Sequence, residues 1–165
     1  MAKKDSSVRP DDRPEYREAL QRAAAFCSRQ ETYTRHIREK LSEWGVSEND
    51  AEKVLSKLKE EKFLDDRRYA LAFAREKFRL NRWGRMKISY MLRMKGIQDE
   101  VIGEAVFQFD EDQYAAACRE LIRAKSSGMK EKNPWTRKAK LQRFATSRGF
   151  ESDLVFRLLD SLDDE

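Results

Sequence analysis

The chain has 165 residues, with 35 Lys and Arg against 30 Asp and Glu, a formal net charge of +5, and equal shares (39%) of charged and hydrophobic residues. Its mean hydropathy is −0.89, and no apolar run approaches the roughly 20 residues that cross a bilayer as a helix. Two cysteines set among alanines (Cys27 and Cys118) and one histidine (His36) exclude a disulfide framework and a multi-histidine metal site, and the helical setting of His36 favours a surface or boundary role over catalysis.

The first residues, MAKKDSSVRPDDRP, are polar and lack the apolar centre of a signal peptide, so residues 1–13 are expected to form a disordered tail. Free thiols buried among alanines suit a reducing cytoplasm. Pro14 suits a first helical position and opens a helix to Ser28, with Tyr16, Leu20, Ala23 and Ala24 on its apolar side. Two shorter helices follow, on either side of Gly45. This first three-helix unit spans residues 14–63.

The second unit spans 64–109. Asp65 and Asp66 stand where a carboxylate can accept from the free N–H groups of a first helical turn. The helix they start runs to about Leu80, with Tyr69, Ala72 and Phe73 expected on its buried face. Asn81-Arg82-Trp83-Gly84 reads as a break, with Gly84 free to take positive φ. The next helix is expected to bury Ile88, Met91, Leu92 and Met94, and Lys95-Gly96 closes it with a last-turn cation and a left-handed cap. The third unit, 110–165, opens with a helix from Asp112 to about Ser126. A longer loop through Pro134, expected to be mobile, leads to two more helices and an acidic C-terminal end.

These units repeat. Gly45, Gly96 and Gly149 lie 51 and 53 residues apart, and each precedes an apolar residue: Val46, Ile97 or Phe150. Ile37, Ile88 and Leu141 come eight residues before each glycine, and Leu41, Leu92 and Ala145 four before. Ala51, Ile102 and Val155 come six after, Leu55, Val106 and Leu159 ten after, and Leu58, Phe109 and Leu162 thirteen after. These spacings mark one helix before each glycine and another behind it. No stretch alternates with period two. The expected fold is therefore all-α, with three tandem three-helix repeats. Each is too small to be comfortable alone, so they stack into an elongated, curved array.

Charge is segregated. Between Arg75 and Lys95 there are eight cations and one acid, and between Arg119 and Arg148 ten cations and two acids. A solvated helix face and a footprint for a polyanion or acidic protein both fit such runs. Trp83 and Trp135 lie among these cations, where stacking on a base or anchoring a protein contact competes with boundary packing. The residues assigned to a partner- or DNA-binding face are Arg82, Trp83, Arg85, Lys87, Arg93, Lys95, Trp135, Arg137, Lys138, Lys140 and Arg143.

The ordered segments FLDDRRYA, RWGRMKI, LRMKGI and KAKLQRFATSRGF resemble the RecX proteins, modulators of the bacterial recombinase RecA, over residues 14–160. The resemblance implies tandem three-helix repeats. It also implies binding in the groove of the RecA–DNA filament, where RecX-like proteins slow ATP hydrolysis and strand exchange and favour disassembly or block extension. It carries no catalytic site and no cofactor. The expected partner is thus the RecA nucleoprotein filament, bound by a cytoplasmic monomer with weak direct DNA binding and no membrane association. The competing reading is a basic helical DNA-binding module without a dedicated protein partner.

Overall fold

The computed structural model describes residues 13–164, so the expected N-terminal tail lies outside the described residues but for Arg13. These residues form nine helices and no strand: α1 (Pro14–Arg29), α2 (Thr34–Glu43), α3 (Glu48–Glu60), α4 (Asp66–Leu80), α5 (Arg85–Met94), α6 (Asp99–Val106), α7 (Glu111–Ser127), α8 (Pro134–Ser147) and α9 (Ser152–Asp163). The chain divides into two compact units, Met1–Tyr69 and Ala70–Glu165, with the boundary inside α4.

In the first unit, α1 buries Tyr16, Ala19, Ala23 and Cys27, a stripe at helical spacing. They pack with Ile37 and Leu41 of α2 and with Ala51, Val54, Leu55 and Leu58 of α3. Each fully buried Leu or Ile contributes about 1.5–3 kcal/mol before conformational entropy is set against it. Ser47 caps α3 by accepting from the Asp50 N–H. Asp65 caps α4, accepting from the Arg68 N–H at 3.0 Å. Asp66 does something else: it accepts from both the N–H and the hydroxyl of Thr34, at 2.8 and 3.0 Å, and so caps α2 rather than its own helix.

The second unit holds the remaining helices. The apolar columns read from the sequence are buried in every helix pair through Ile37, Ile88, Leu141 and their counterparts, with Phe109 and Leu162 half-buried. The three glycines take positive φ (77, 78 and 95°). Behind each, the next N–H donates to the same carbonyl of the helix just ended: Val46 to Leu41, Ile97 to Leu92, Phe150 to Ala145. These are the six-to-one bonds of a Schellman end, repeated three times.

Two faces differ from expectation. On α4 the fully buried residues are Ala70 and Ala74, while Tyr69 and Phe73 are half-buried and Ala72 is exposed. Small side chains take the close contacts of that helix, and the large ring of Phe73 is left at the edge. On α5, Ile88 and Leu92 are buried, but Met94 is exposed because it falls on the same outer stripe as Met86 and Tyr90.

Both cysteines are buried, free thiols. Burial, and after it the carboxylate of Glu151, push Cys118 up to about 12. A thiol-reactive disulfide reagent at pH 8 is therefore expected to label Cys118 only on unfolding. The sign for stability follows: the contribution is complete below the unfolded thiol's range and is lost as pH climbs through 9 towards 12. Labelling of Cys118 in the native protein as fast as in urea would contradict this.

Candidate polyanion-binding surface

The basic connector is built by an unusual helix end. Arg82, not a glycine, takes the left-handed conformation (φ 56°) that closes α4. The Trp83 N–H then donates back to the Lys77 carbonyl at 3.1 Å. This brings the indole against Phe73, with ring centroids 6.5 Å apart and edge to face. Three ammonium groups surround the two rings. Lys77 Nζ lies 5.3 Å from the Trp83 ring and 5.5 Å from the Phe73 ring, Lys87 Nζ 4.5 Å from Trp83, and Lys95 Nζ 5.4 Å from Phe73. Burial, then the Lys77 charge, hold the Lys95 ammonium below the usual lysine range.

Gly84 does not serve as the positive-φ break expected of it; its φ is −82°. Its role is close approach. The Gly84 N–H donates to the Arg148 carbonyl at 2.7 Å, and the Met86 N–H to the Gly149 carbonyl at 2.9 Å. A Cβ on Gly84 would sit 2.4 Å from backbone atoms of Gly149 and Phe150, and one on Gly149 would sit 2.4 Å from the Cβ of Lys87. The two glycines let the start of α5 cross the end of α8.

Arg85 is likewise not a surface contact, which corrects its assignment to the binding face. Its side chain is 7% exposed and paired with Glu111 and Glu151. The guanidinium donates to the Val106 carbonyl at 2.9 Å and lies 3.8 Å from the Tyr114 ring centre. The Tyr114 hydroxyl accepts from the Arg85 N–H at 2.9 Å and donates to Glu151 at 2.6 Å. Burial, then that bond to Glu151, raise the Tyr114 hydroxyl far above its ordinary range. The cation is consumed inside the fold, joining α5 to the starts of α7 and α9.

The other assigned residues fall into distinct settings. Arg82 pairs with Glu120, Arg93 with Asp99, Lys140 with Glu131, and Lys138 with both Asp160 and Asp163. Arg137 donates to the carbonyls of Ser126 and Glu131, closing the end of α7. Arg143 is exposed, and Trp135 is 84% exposed. The structure thus gathers Trp83, Lys87 and Lys95, and adds Phe73 and Lys77, which the sequence reading did not assign. Their i, i+4 spacing on α4 was the available signal.

Relatives of this chain can be set beside that geometry. The family models described as the second and third three-helix domains of RecX match residues 65–106 and 111–159. The regulatory protein RecX of Prosthecochloris aestuarii is 35% identical over 146 residues, covering 88% of this chain and 94% of that protein. The chain belongs to the RecX family. The RecX of Pelodictyon phaeoclathratiforme is 31% identical over 134 residues, covering 78% of this chain and 82% of its own length. A crystal structure of regulatory protein RecX superposes with a TM-score of 0.82 at 27% identity, over 88% of this chain and 72% of that one. RecX from Lactobacillus salivarius superposes at 0.85, over 92% and 98% of the two chains; at 18% identity it speaks to the fold alone. Among the described residues of this RecX chain, no helix is long and apolar enough to cross a membrane.

Proposed function

We propose that this RecX-family protein is a negative modulator of the RecA recombinase, bound in the groove of the RecA–DNA filament, where it slows ATP hydrolysis, strand exchange and filament extension. It works in the cytoplasm as a monomer, and this activity needs no catalytic group or cofactor. The observation that carries the reading is the lysine cluster about Phe73 and Trp83. Lys77 and Lys87 face aromatic rings with no carboxylate in ion-pair distance among the described residues, while Arg82, Arg85 and Arg93 nearby are matched by acids. A positive patch of this kind speeds encounter with a nucleoprotein surface, and exposed apolar residues beside it, Met86 and Tyr90, can lengthen the bound state.

A module that binds naked DNA without a protein partner needs many free cations and a steep dependence on salt. The pairing of Arg93, Lys138 and Lys140 with carboxylates argues for weak direct binding instead. Addition of substoichiometric protein to RecA on single-stranded DNA is expected to slow ATP hydrolysis. No slowing at low salt would overturn the proposal, and a gel-shift salt titration on naked and filament-coated DNA discriminates the two readings.

A further inference from the structure

We infer that Lys77, Lys87 and Lys95, gathered about Phe73 and Trp83, form a seat for the phosphodiester backbone of single-stranded DNA. This deepens the reading above, because it names which component of a nucleoprotein filament this part of the surface takes.

Three features support it. First, Lys77 and Lys87 are held on ring faces instead of carboxylates. A cation–π contact at an exposed site is worth only about 0.5–1 kcal/mol, so a phosphate can draw these ammonium groups without displacing an acid. Second, the like charges are packed closely enough that burial and Lys77 together disfavour the charged form of Lys95. An anion arriving among them relieves that repulsion. Third, the seat is preorganised. The backbone just before Lys87, at Gly84 and Met86, is tied to the Arg148 and Gly149 carbonyls, and Trp83 is tied to Lys77. Nucleic acid suits the site better than an acidic peptide. When Lys87 moves to a phosphate, an indole face becomes available for a base, a contact the carboxylates of an acidic peptide cannot make.

The test is anisotropy of labelled oligo(dT) over a salt series, with the parent chain, Lys77→Gln/Lys87→Gln and Lys77→Arg/Lys87→Arg. The Gln pair is expected to bind at least about tenfold more weakly, with a log–log salt slope shallower by about 1.4, at about 0.7 per released counterion on a single strand. The Arg pair should bind like the parent, and circular dichroism should show both variants folded, since neither lysine is buried. Unchanged affinity and slope in the Gln pair overturn the inference. So does poly-glutamate displacing the oligonucleotide as effectively as unlabelled oligo(dT) at equal charge, which would assign the seat to an acidic protein surface. RecA ATPase inhibition by the parent chain, measured in parallel, decides the broader reading separately. Inhibition without the oligonucleotide phenotype removes this inference alone.

Discussion

Gly84→Ala is expected to destabilise the protein by about 2–4 kcal/mol. The added methyl would lie 2.4 Å from the Gly149 carbonyl carbon and oxygen and from the Phe150 nitrogen. All three are backbone atoms, which cannot rotate away as a side-chain tip could. Overpacking of this kind costs about 1–3 kcal/mol. Separation of the two segments also weakens the bonds from Gly84 and Met86 to the Arg148 and Gly149 carbonyls, each worth about 0.5–1.5 kcal/mol net. In a unit of this size the loss corresponds to a fall in the thermal midpoint of about 10–20 °C. Gly103→Ala is the control. A Cβ there meets nothing within 4 Å and the residue lies inside α6, so alanine should be neutral or stabilising by up to about 1 kcal/mol. Calorimetry should show a large fall in the midpoint for Gly84→Ala and no fall for Gly103→Ala. A midpoint for Gly84→Ala close to that of Gly103→Ala would show that the crossing of α5 and α8 yields easily.

The contrast among the glycines explains how much of the fold could be read from the chain. Gly45, Gly96 and Gly149 end helices, and a helix end is a local event. Its signal lies in the few residues around it, and the columns at fixed distances repeat it three times. Gly84 looks identical on paper, yet its requirement comes from a segment 65 residues further along, and nothing nearby encodes it. Asp66 teaches the same lesson. A carboxylate at a helix start predicts a cap, but not which helix is capped, and here it reaches back 32 residues to Thr34. The starts of α2 and α5 are served alike: Thr34 meets Asp66 at the beginning of α4, and Arg85 meets Tyr114 near the beginning of α7. The first helix of the following trio caps the second helix of the preceding one, an arrangement invisible to periodicity.

The candidate surface was legible only as an excess of charge. Counting cations treats Lys77, Arg85 and Lys138 as equal, whereas their surroundings make them opposites. Lys138 is saturated by two aspartates of α9, Arg85 is internal, and Lys77 faces rings. Exposed ion pairs contribute little to stability, but they do neutralise cations that a polyanion would otherwise meet. The acidic end of α9 therefore acts on Lys138 of α8 directly, whereas the ammonium groups beside Trp83 are left on aromatic rings.

Arg85 gives the second large effect. Arg85→Ala is expected to destabilise by about 2–4 kcal/mol. Breaking a buried ion pair typically costs about 3–5 kcal/mol. Here the Arg is 7% exposed, but Glu111 is 75% and Glu151 34% exposed, and water can take over part of their charge. The Val106 carbonyl loses its donor, and the Tyr114 and Phe107 rings lose the guanidinium stacked 3.8 and 4.9 Å from their centres. Arg85→Met fills most of the same space and should lose less than the alanine variant. The functional consequence separates this residue from its neighbours. Since the guanidinium faces inward, folded Arg85→Met should bind oligo(dT) with the parent's affinity and salt slope, while Lys87→Gln, two residues away, should not. Denaturant melts establish the stability order, and the salt series on the same samples decides the role. A slope reduced by Arg85→Met as much as by Lys87→Gln would return Arg85 to the binding face, because only a cation that releases counterions on contact can change that slope.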